Sequence, residues 1–68
     1  MLARRIRELR NKKDLSQEKL ARLADVSYNT IVKIESGESK NPTIKTMAGI
    51  AKALGISLDE LIKYTWQS

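Results

Sequence analysis

The residues best suited to recognise a ligand lie at helical spacing between positions 28 and 36. On a helical wheel with about 100° per residue, Ile31 and Ile34 define the inner side. The opposite side carries Asn29, Lys33 and Ser36. An asparagine amide can pair bidentately with adenine, and a lysine ammonium can donate to guanine. This polar face therefore favours contact with base edges, and an ordinary solvated helix face is the alternative that the wheel leaves open.

This polar helix is the second of a pair that spans residues 17–35. The two helices are joined by a tight turn at Ala24-Asp25-Val26-Ser27. Such a turn between crossed helices commonly needs a residue at positive φ, and aspartate tolerates that conformation better than most residues. Asp25 is predicted to take it, although an ordinary polar turn residue fits the sequence equally well. Gln17 opens the first helix of the pair, where a side-chain amide and free backbone N–H groups can meet a phosphate.

The composition limits what else the chain could do. Among 68 residues there are 13 Lys and Arg against 8 Asp and Glu, which gives a formal net charge of +5. Such a basic excess favours an anionic partner. The chain has no cysteine and no histidine, which excludes disulfides, thiolate metal sites and histidine general bases. We therefore expect a protein that is not an enzyme and that needs no metal and no small-molecule cofactor.

Hydrophobic periodicity predicts an all-α fold of five helices, within a single domain that covers residues 1–68. The helix-turn-helix unit occupies residues 17–36. Predicted N-caps precede the later helices, and Gly37 and Gly55 are predicted stops. The caps are Ser16, Ser27, Thr43 and Ser57. Predicted inward residues include Leu20, Leu23 and Ala24 in the second helix, and Ile44, Met47, Ile50, Ala51 and Leu54 in the fourth. Residues 65–68 show no helical pattern.

Glu35 is out of place on a helix with a polar outer face that would approach an anion. On the wheel it lies near 40°, at the border of the buried side, and Arg10 takes the same border position when the first helix is counted from Ile6. We expect a partly buried Arg10–Glu35 ion pair that ties the first helix to the third. We expect a structural role for this pair in preference to a functional one, and losing one partner of a partly buried pair would cost far more than losing a surface pair.

These residues resemble the phage-repressor-like helix-turn-helix family, of the lambda-repressor-like, Cro/XRE type. The similarity extends over IRELRNKKDLSQEKLARLADVSYNTIVKIESGES, NPTIKTMAGIAKALGIS and LDELI, which is nearly the whole chain. The resemblance implies that the third helix enters the major groove. It implies base contacts at Ser27, Tyr28, Asn29 and Lys33, and phosphate contacts at Gln17, Ser36, Lys40 and Asn41. Members of the family also often pair an arginine of the first helix with a glutamate ending the third, in agreement with Arg10 and Glu35.

Three positions depart from the family pattern. Asp25 stands where the turn often has glycine. Aspartate is tolerated there, but the geometry of the turn follows less directly from the sequence. Glu38 lies in a loop where basic residues are common, so the grip on phosphate there is expected to be weaker. Tyr28 is bulkier than the small or amide residue that is usual at its position, and we expect it to stack on a sugar or a thymine methyl group.

The resulting hypothesis is a sequence-specific double-stranded DNA-binding transcriptional regulator, a repressor. It would bind a pseudo-palindromic operator as a homodimer, with half-sites about 34 Å apart. The C-terminal segment with Tyr64 and Trp66 is the candidate dimer contact, and packing onto the core is its alternative. The sequence offers no signal peptide and no membrane span, so we expect a cytoplasmic protein of prokaryotic or phage type, at the nucleoid when bound. The second hypothesis is the antitoxin of a toxin–antitoxin pair, with autoregulatory DNA binding.

Overall fold

Five α-helices make up the computed structural model, which describes the backbone of residues 2–66 and the side chains of residues 2–63. They are α1 (Leu2–Lys12), α2 (Gln17–Ala24), α3 (Tyr28–Glu35), α4 (Ile44–Leu54) and α5 (Leu58–Trp66). Residues 2–66 include no β-strand, and the all-α prediction is confirmed. Within the same range, every helix is too short or too polar to cross a bilayer.

Four of the helices begin at the predicted N-caps. Each cap hydroxyl accepts a hydrogen bond from a backbone N–H in the first helical turn, where that group has no partner inside the helix. The pairs are Ser16 with Lys19 at 3.0 Å, Ser27 with Thr30 at 3.1 Å, Thr43 with Thr46 at 3.2 Å, and Ser57 with Glu60 at 3.1 Å. The sequence therefore starts α2 to α5 locally, before any packing is considered.

Around the core, α2 packs against α3 and α4, α1 packs against α3 and α5, and α4 also packs against α5. The members of the core are almost all aliphatic, and seven of the large ones are fully buried: Ile6, Leu20, Ile31, Ile34, Ile50, Leu54 and Leu61. Burying such a side chain stabilises a fold by about 1.5–3 kcal/mol relative to leaving it exposed. Ile31 and Ile34 belong to this cluster, so the helix with the polar outer face is anchored directly in the core.

Two predicted core residues are exposed. Leu23 is 49% exposed and Ile44 is 52% exposed. In α2 the buried residues are Leu20, Ala21 and Ala24, and Leu23 lies about 110° from their centre on the wheel. Ile44 is the first residue of α4 and lies beside the stripe formed by the later buried residues of that helix. Both residues are apolar, but each lies to one side of the buried stripe of its helix.

The C-terminal boundary also differs from the prediction. Residues 65–68 show no apolar periodicity, yet α5 continues to Trp66. Once a helix is nucleated by a cap, each further residue adds one backbone hydrogen bond, so propagation does not need an apolar stripe. The side chains of Tyr64 and Trp66 lie outside the described residues, as do Gln67 and Ser68.

Candidate nucleic-acid interface

The turn between α2 and α3 depends on the conformation of Asp25. Its backbone is left-handed, with φ 59° and ψ 43°, so the prediction of a positive φ is confirmed. The N–H of Asp25 bonds to the carbonyl of Arg22 at 3.2 Å, and the N–H of Val26 bonds to that of Ala21 at 3.0 Å. These two bonds satisfy carbonyl groups that the end of α2 would leave free. Only Asp25 and Val26 separate the end of α2 from Ser27, the N-cap of α3.

The two sides of α3 differ sharply in exposure. Ile31, Ile34 and Glu35 are buried, whereas Asn29 and Lys33 are exposed. Because Asn29 and Lys33 are four residues apart, they are neighbours along the outer face of the helix. An amide and an ammonium therefore stand together on a surface that is backed by the core.

Ser27 and Tyr28 lie at the N-terminal end of α3. Tyr28 is 52% exposed, and Ser27 is exposed as well. The Ser27 hydroxyl accepts from the N–H of Thr30 at 3.1 Å and lies 2.8 Å from the Thr30 hydroxyl. Any contact that Ser27 makes with a base must therefore share this oxygen with the cap.

Ser36 follows α3 and is exposed, but its hydroxyl is already engaged. It donates to the carbonyl of Lys33 at 3.0 Å and accepts from the N–H of Glu38 at 3.3 Å. A hydroxyl has one proton to donate, so a phosphate would have to displace the Lys33 carbonyl. Lys40 and Asn41 lie exposed in the loop between α3 and α4, where their side chains face solvent.

Glu35 is held by a bidentate ion pair from α1. The Nε of Arg10 donates to Oε2 at 2.7 Å, and its Nη2 donates to Oε1 at 3.0 Å. The side chains are 15% exposed for Arg10 and 1% exposed for Glu35. The remaining Nη1 of Arg10 donates to the carbonyl of Leu15 at 2.8 Å. The two residues that the wheels place at one border are thus in contact, and they fix α3 to α1 and to the segment before α2.

Gln17 joins the same group from α2. Its Nε2 donates to Oε1 of Glu35 at 3.1 Å, and the residue is half-buried. A side-chain amide has two N–H donors, so one of them remains after this bond is made. Gln17 therefore holds the start of α2 against the end of α3, and it keeps one donor for an acceptor from outside.

Arg7 is a member of this cluster that the sequence reasoning missed. Its Nη1 donates to the backbone carbonyl of Glu35, the last residue of α3. The available signal was the spacing of Arg7 and Arg10, because residues three apart share one side of a helix. With Arg10 predicted to reach Glu35, Arg7 would be expected to reach the same end of α3.

The family profile and the related sequences that match this chain agree with one another. The sequence profile of the helix-turn-helix family matches residues 6–61. The transcriptional repressor RstR of the cryptic phage CTXphi, from Vibrio cholerae, is 36% identical over 62 residues, which cover 91% of this chain and 55% of RstR. The control protein C.SmaI from Serratia marcescens is 37% identical over 62 residues, covering 91% of this chain and 73% of that protein. The chain thus spans little more than half the length of RstR.

Solved structures agree with this result. SinR, described as the master regulator for biofilm formation and solved in complex with DNA, superposes with a TM-score of 0.85 at 29% identity, covering 91% of this chain and 98% of that chain. A chain of the SinR protein/SinI protein complex gives the same TM-score and identity, covering 91% and 60%. Since the profile extends over well more than half of the sequence, the protein belongs to the helix-turn-helix family, in its lambda-repressor-like, Cro/XRE type.

Proposed function

We propose that this protein is a transcriptional repressor that binds a specific sequence of double-stranded DNA by inserting α3 in the major groove. The observation that carries the proposal is the division of α3 into a buried side and an exposed polar side. The major groove is about 12 Å wide and admits an α-helix, and its base edges carry donors and acceptors that differ for every base pair. Asn29 and Lys33 offer the matching groups on a helix that the core holds in place.

Electrostatics supports the same partner. A net charge of +5 on 68 residues attracts a polyanion and raises the rate of encounter with it. The carboxylate that α3 does contain, Glu35, is neutralised by Arg10 on the buried side. The outer face of α3 therefore presents a donor-rich surface to the duplex, and its acidic group is kept out of contact.

The relatives support this function as well. RstR is a transcriptional repressor, C.SmaI is a control protein, and SinR was solved in complex with DNA. The similarity to SinR includes 98% of the matched chain, so nearly all of that chain has a counterpart here. The same family relationship argues for regulation in preference to the antitoxin role.

The proposal assigns roles by position. Bases are contacted by residues at the N-terminal end and on the outer face of α3, namely Ser27, Tyr28, Asn29 and Lys33. Phosphates would be held by Gln17 at the start of α2, by Ser36 directly after α3, and by Lys40 and Asn41 in the loop that follows. The protein would act in the cytoplasm as a homodimer on a pseudo-palindromic operator, with the segment around Tyr64 and Trp66 as the dimer contact.

A selection from random duplexes tests the proposal directly. The bound fraction, once sequenced, should show a preferred half-site repeated with two-fold symmetry about one helical turn away. Binding of the selected duplex should weaken steeply with salt, with a slope near −0.9 for each phosphate neutralised. No enriched sequence, or an affinity that does not change with salt, would contradict the function.

Two substitutions separate the base contacts from the phosphate contacts. Lys33→Ala should relax the preference at one base pair, where a good contact discriminates by about 1–3 kcal/mol. Gln17→Ala should weaken the selected duplex and unrelated duplexes by the same factor. Affinities for a set of single-base-pair variants of the selected site measure both effects. If Lys33→Ala weakened every duplex alike, Lys33 would not be a base contact.

A further inference from the structure

The four arginines of α1 differ in how their charges are compensated. Arg4 and Arg5 both contact Glu8, at 3.5 Å and 3.7 Å. Arg10 contacts Glu35. Arg7 forms no ion pair with a carboxylate among the residues whose side chains are described, and its partner is a backbone carbonyl. Arg7 is therefore the arginine of α1 for which no carboxylate partner lies within that range.

The position of this charge is set by its hydrogen bond. Nη1 of Arg7 donates to the carbonyl of Glu35, so the guanidinium lies at the C-terminal end of α3. Gln17 donates to the side chain of the same residue at 3.1 Å. Arg7 from α1 and Gln17 from α2 thus converge on Glu35, one on its backbone and the other on its carboxylate.

The guanidinium of Arg7 has N–H donors beyond the one that bonds to Glu35. A guanidinium has five N–H donors, and one of those of Arg7 is used by the Glu35 carbonyl. Arg7 is exposed, in contrast to Arg10, whose side chain is 15% exposed. Because Arg10 and Glu35 cancel each other's charge, the net charge of the cluster is the one that Arg7 carries.

We propose that Arg7 binds a backbone phosphate of the DNA duplex, beside the position that Gln17 serves. This inference rests on the proposed function and adds a contact from α1 to it. Guanidinium groups suit phosphate oxygens, because their parallel N–H donors can form two hydrogen bonds at once. The bond to Glu35 orients Arg7 before DNA arrives, so that the cation is fixed to the end of the helix that enters the groove.

Arg7→Ala and Arg4→Ala form a matched pair for the test. Both variants remove one arginine from an exposed position of α1, and the Arg4 side chain is 76% exposed. We expect Arg7→Ala to weaken binding of the selected duplex about tenfold, as for the loss of one charge-assisted hydrogen bond. The slope of log affinity against log salt should fall by about 0.9. Arg4→Ala should leave that slope unchanged.

Further variants separate a phosphate contact from a structural role. Arg7→Lys should restore most of the salt slope, because it keeps the charge, and Arg7→Gln replaces Arg7→Ala if the alanine variant does not fold. The preference among bases should be the same in every Arg7 variant, as expected for a phosphate contact. Equal slopes for Arg7→Ala and Arg4→Ala, or a changed base preference with an unchanged slope, would overturn the inference. A wild-type protein with no salt dependence would instead overturn the proposed function itself.

Discussion

The beginning of α2 and its end are fixed by different kinds of interaction. At the beginning, Gln17 and Arg10 converge on the buried carboxylate of Glu35 through hydrogen bonds of 2.7–3.1 Å. At the end, the carbonyl of Ala24 lies so close to α4 that a Cβ added to Gly49 would stand 2.3 Å from it. One contact is polar and joins α2 to α3 and α1, while the other is a close approach of backbone to backbone.

The two contacts constrain different degrees of freedom. A bidentate arginine–carboxylate pair is directional, so it fixes the rotation of α3 about its own axis as well as its position. Close packing against Gly49 has no preferred direction, but it sets how near α4 approaches the helix pair. The position of the outer face of α3 depends on both contacts. The ion pair sets the orientation of α3, and the close packing sets the distance between the α2–α3 pair and α4.

The polar contact should show the largest effect when it is broken. Arg10→Ala leaves Glu35, which is 2% exposed, with only the Gln17 amide as a described partner of its carboxylate. Losing one member of a buried ion pair costs about 3–5 kcal/mol, against a total stability of about 5–15 kcal/mol for a typical domain. Urea denaturation followed by circular dichroism measures this loss.

Two controls show whether burial is the cause. Arg4→Ala removes an arginine from an exposed ion pair and should cost less than about 1 kcal/mol. Arg10→Met combined with Glu35→Leu removes both charges and should be much less destabilising than Arg10→Ala alone. Equal losses for Arg10→Ala and Arg4→Ala would mean that the pair contributes no more than a surface pair does.

The backbone contact should show the next largest effect. Gly49→Ala places a methyl group 2.3 Å from the Ala24 carbonyl oxygen and 3.2 Å from its carbon. Overpacking of this kind costs about 1–3 kcal/mol, although alanine favours a helix over glycine by about 1 kcal/mol. Thermal unfolding of the variant should show a net loss, because the neighbouring atoms belong to backbone and cannot rotate away.

Gly37→Ala is the control for this substitution. Gly37 has open space around it, with nothing within 4 Å of an added Cβ, but its φ is +87°. Any stability that Gly37→Ala loses would therefore come from backbone strain, and the distance between α2 and α4 would not change. If Gly49→Ala raised the unfolding temperature, helix propensity would outweigh packing and the close approach would not limit the fold.

The sequence could predict the polar contact but not the backbone contact, and the reason is physical. A carboxylate at the border of the buried side of a helix needs a cationic partner. Charge and helical periodicity together identify Arg10 as that partner. A glycine inside a helical pattern has no such requirement, because it fits a close approach and an ordinary surface position equally well. Gly49 becomes informative only when the distance between α2 and α4 is known.

The same limit explains the two residues that lie exposed although the sequence predicts them to be buried. Leu23 and Ile44 have the composition of core residues, but their exposure depends on which side of each helix meets a neighbour. Ser27 and Ser36 are a different case, because their hydroxyl groups bond locally, to the N–H of Thr30 and to the carbonyl of Lys33, and the cap role of Ser27 is itself predicted by the sequence. Helix number, caps and turns follow from short-range rules, whereas helix orientation depends on the tertiary structure.

The smallest predicted effect concerns the turn that lies next to the Ala24–Gly49 contact. Asp25→Gly should stabilise the protein by about 0.5 kcal/mol, because removing the left-handed strain gains about 1 kcal/mol and the freer unfolded chain costs about half of that. For a domain of this size the unfolding temperature should rise by about 2–4 °C. Asp59→Gly removes the same charge from the first turn of α5 and should destabilise, by about 0.3 kcal/mol through helix propensity and by about 0.3–1 kcal/mol through loss of the carboxylate at the positive helix end. A loss of stability in Asp25→Gly would show that the aspartate side chain supports the turn, and that the end of α2 depends on more than packing.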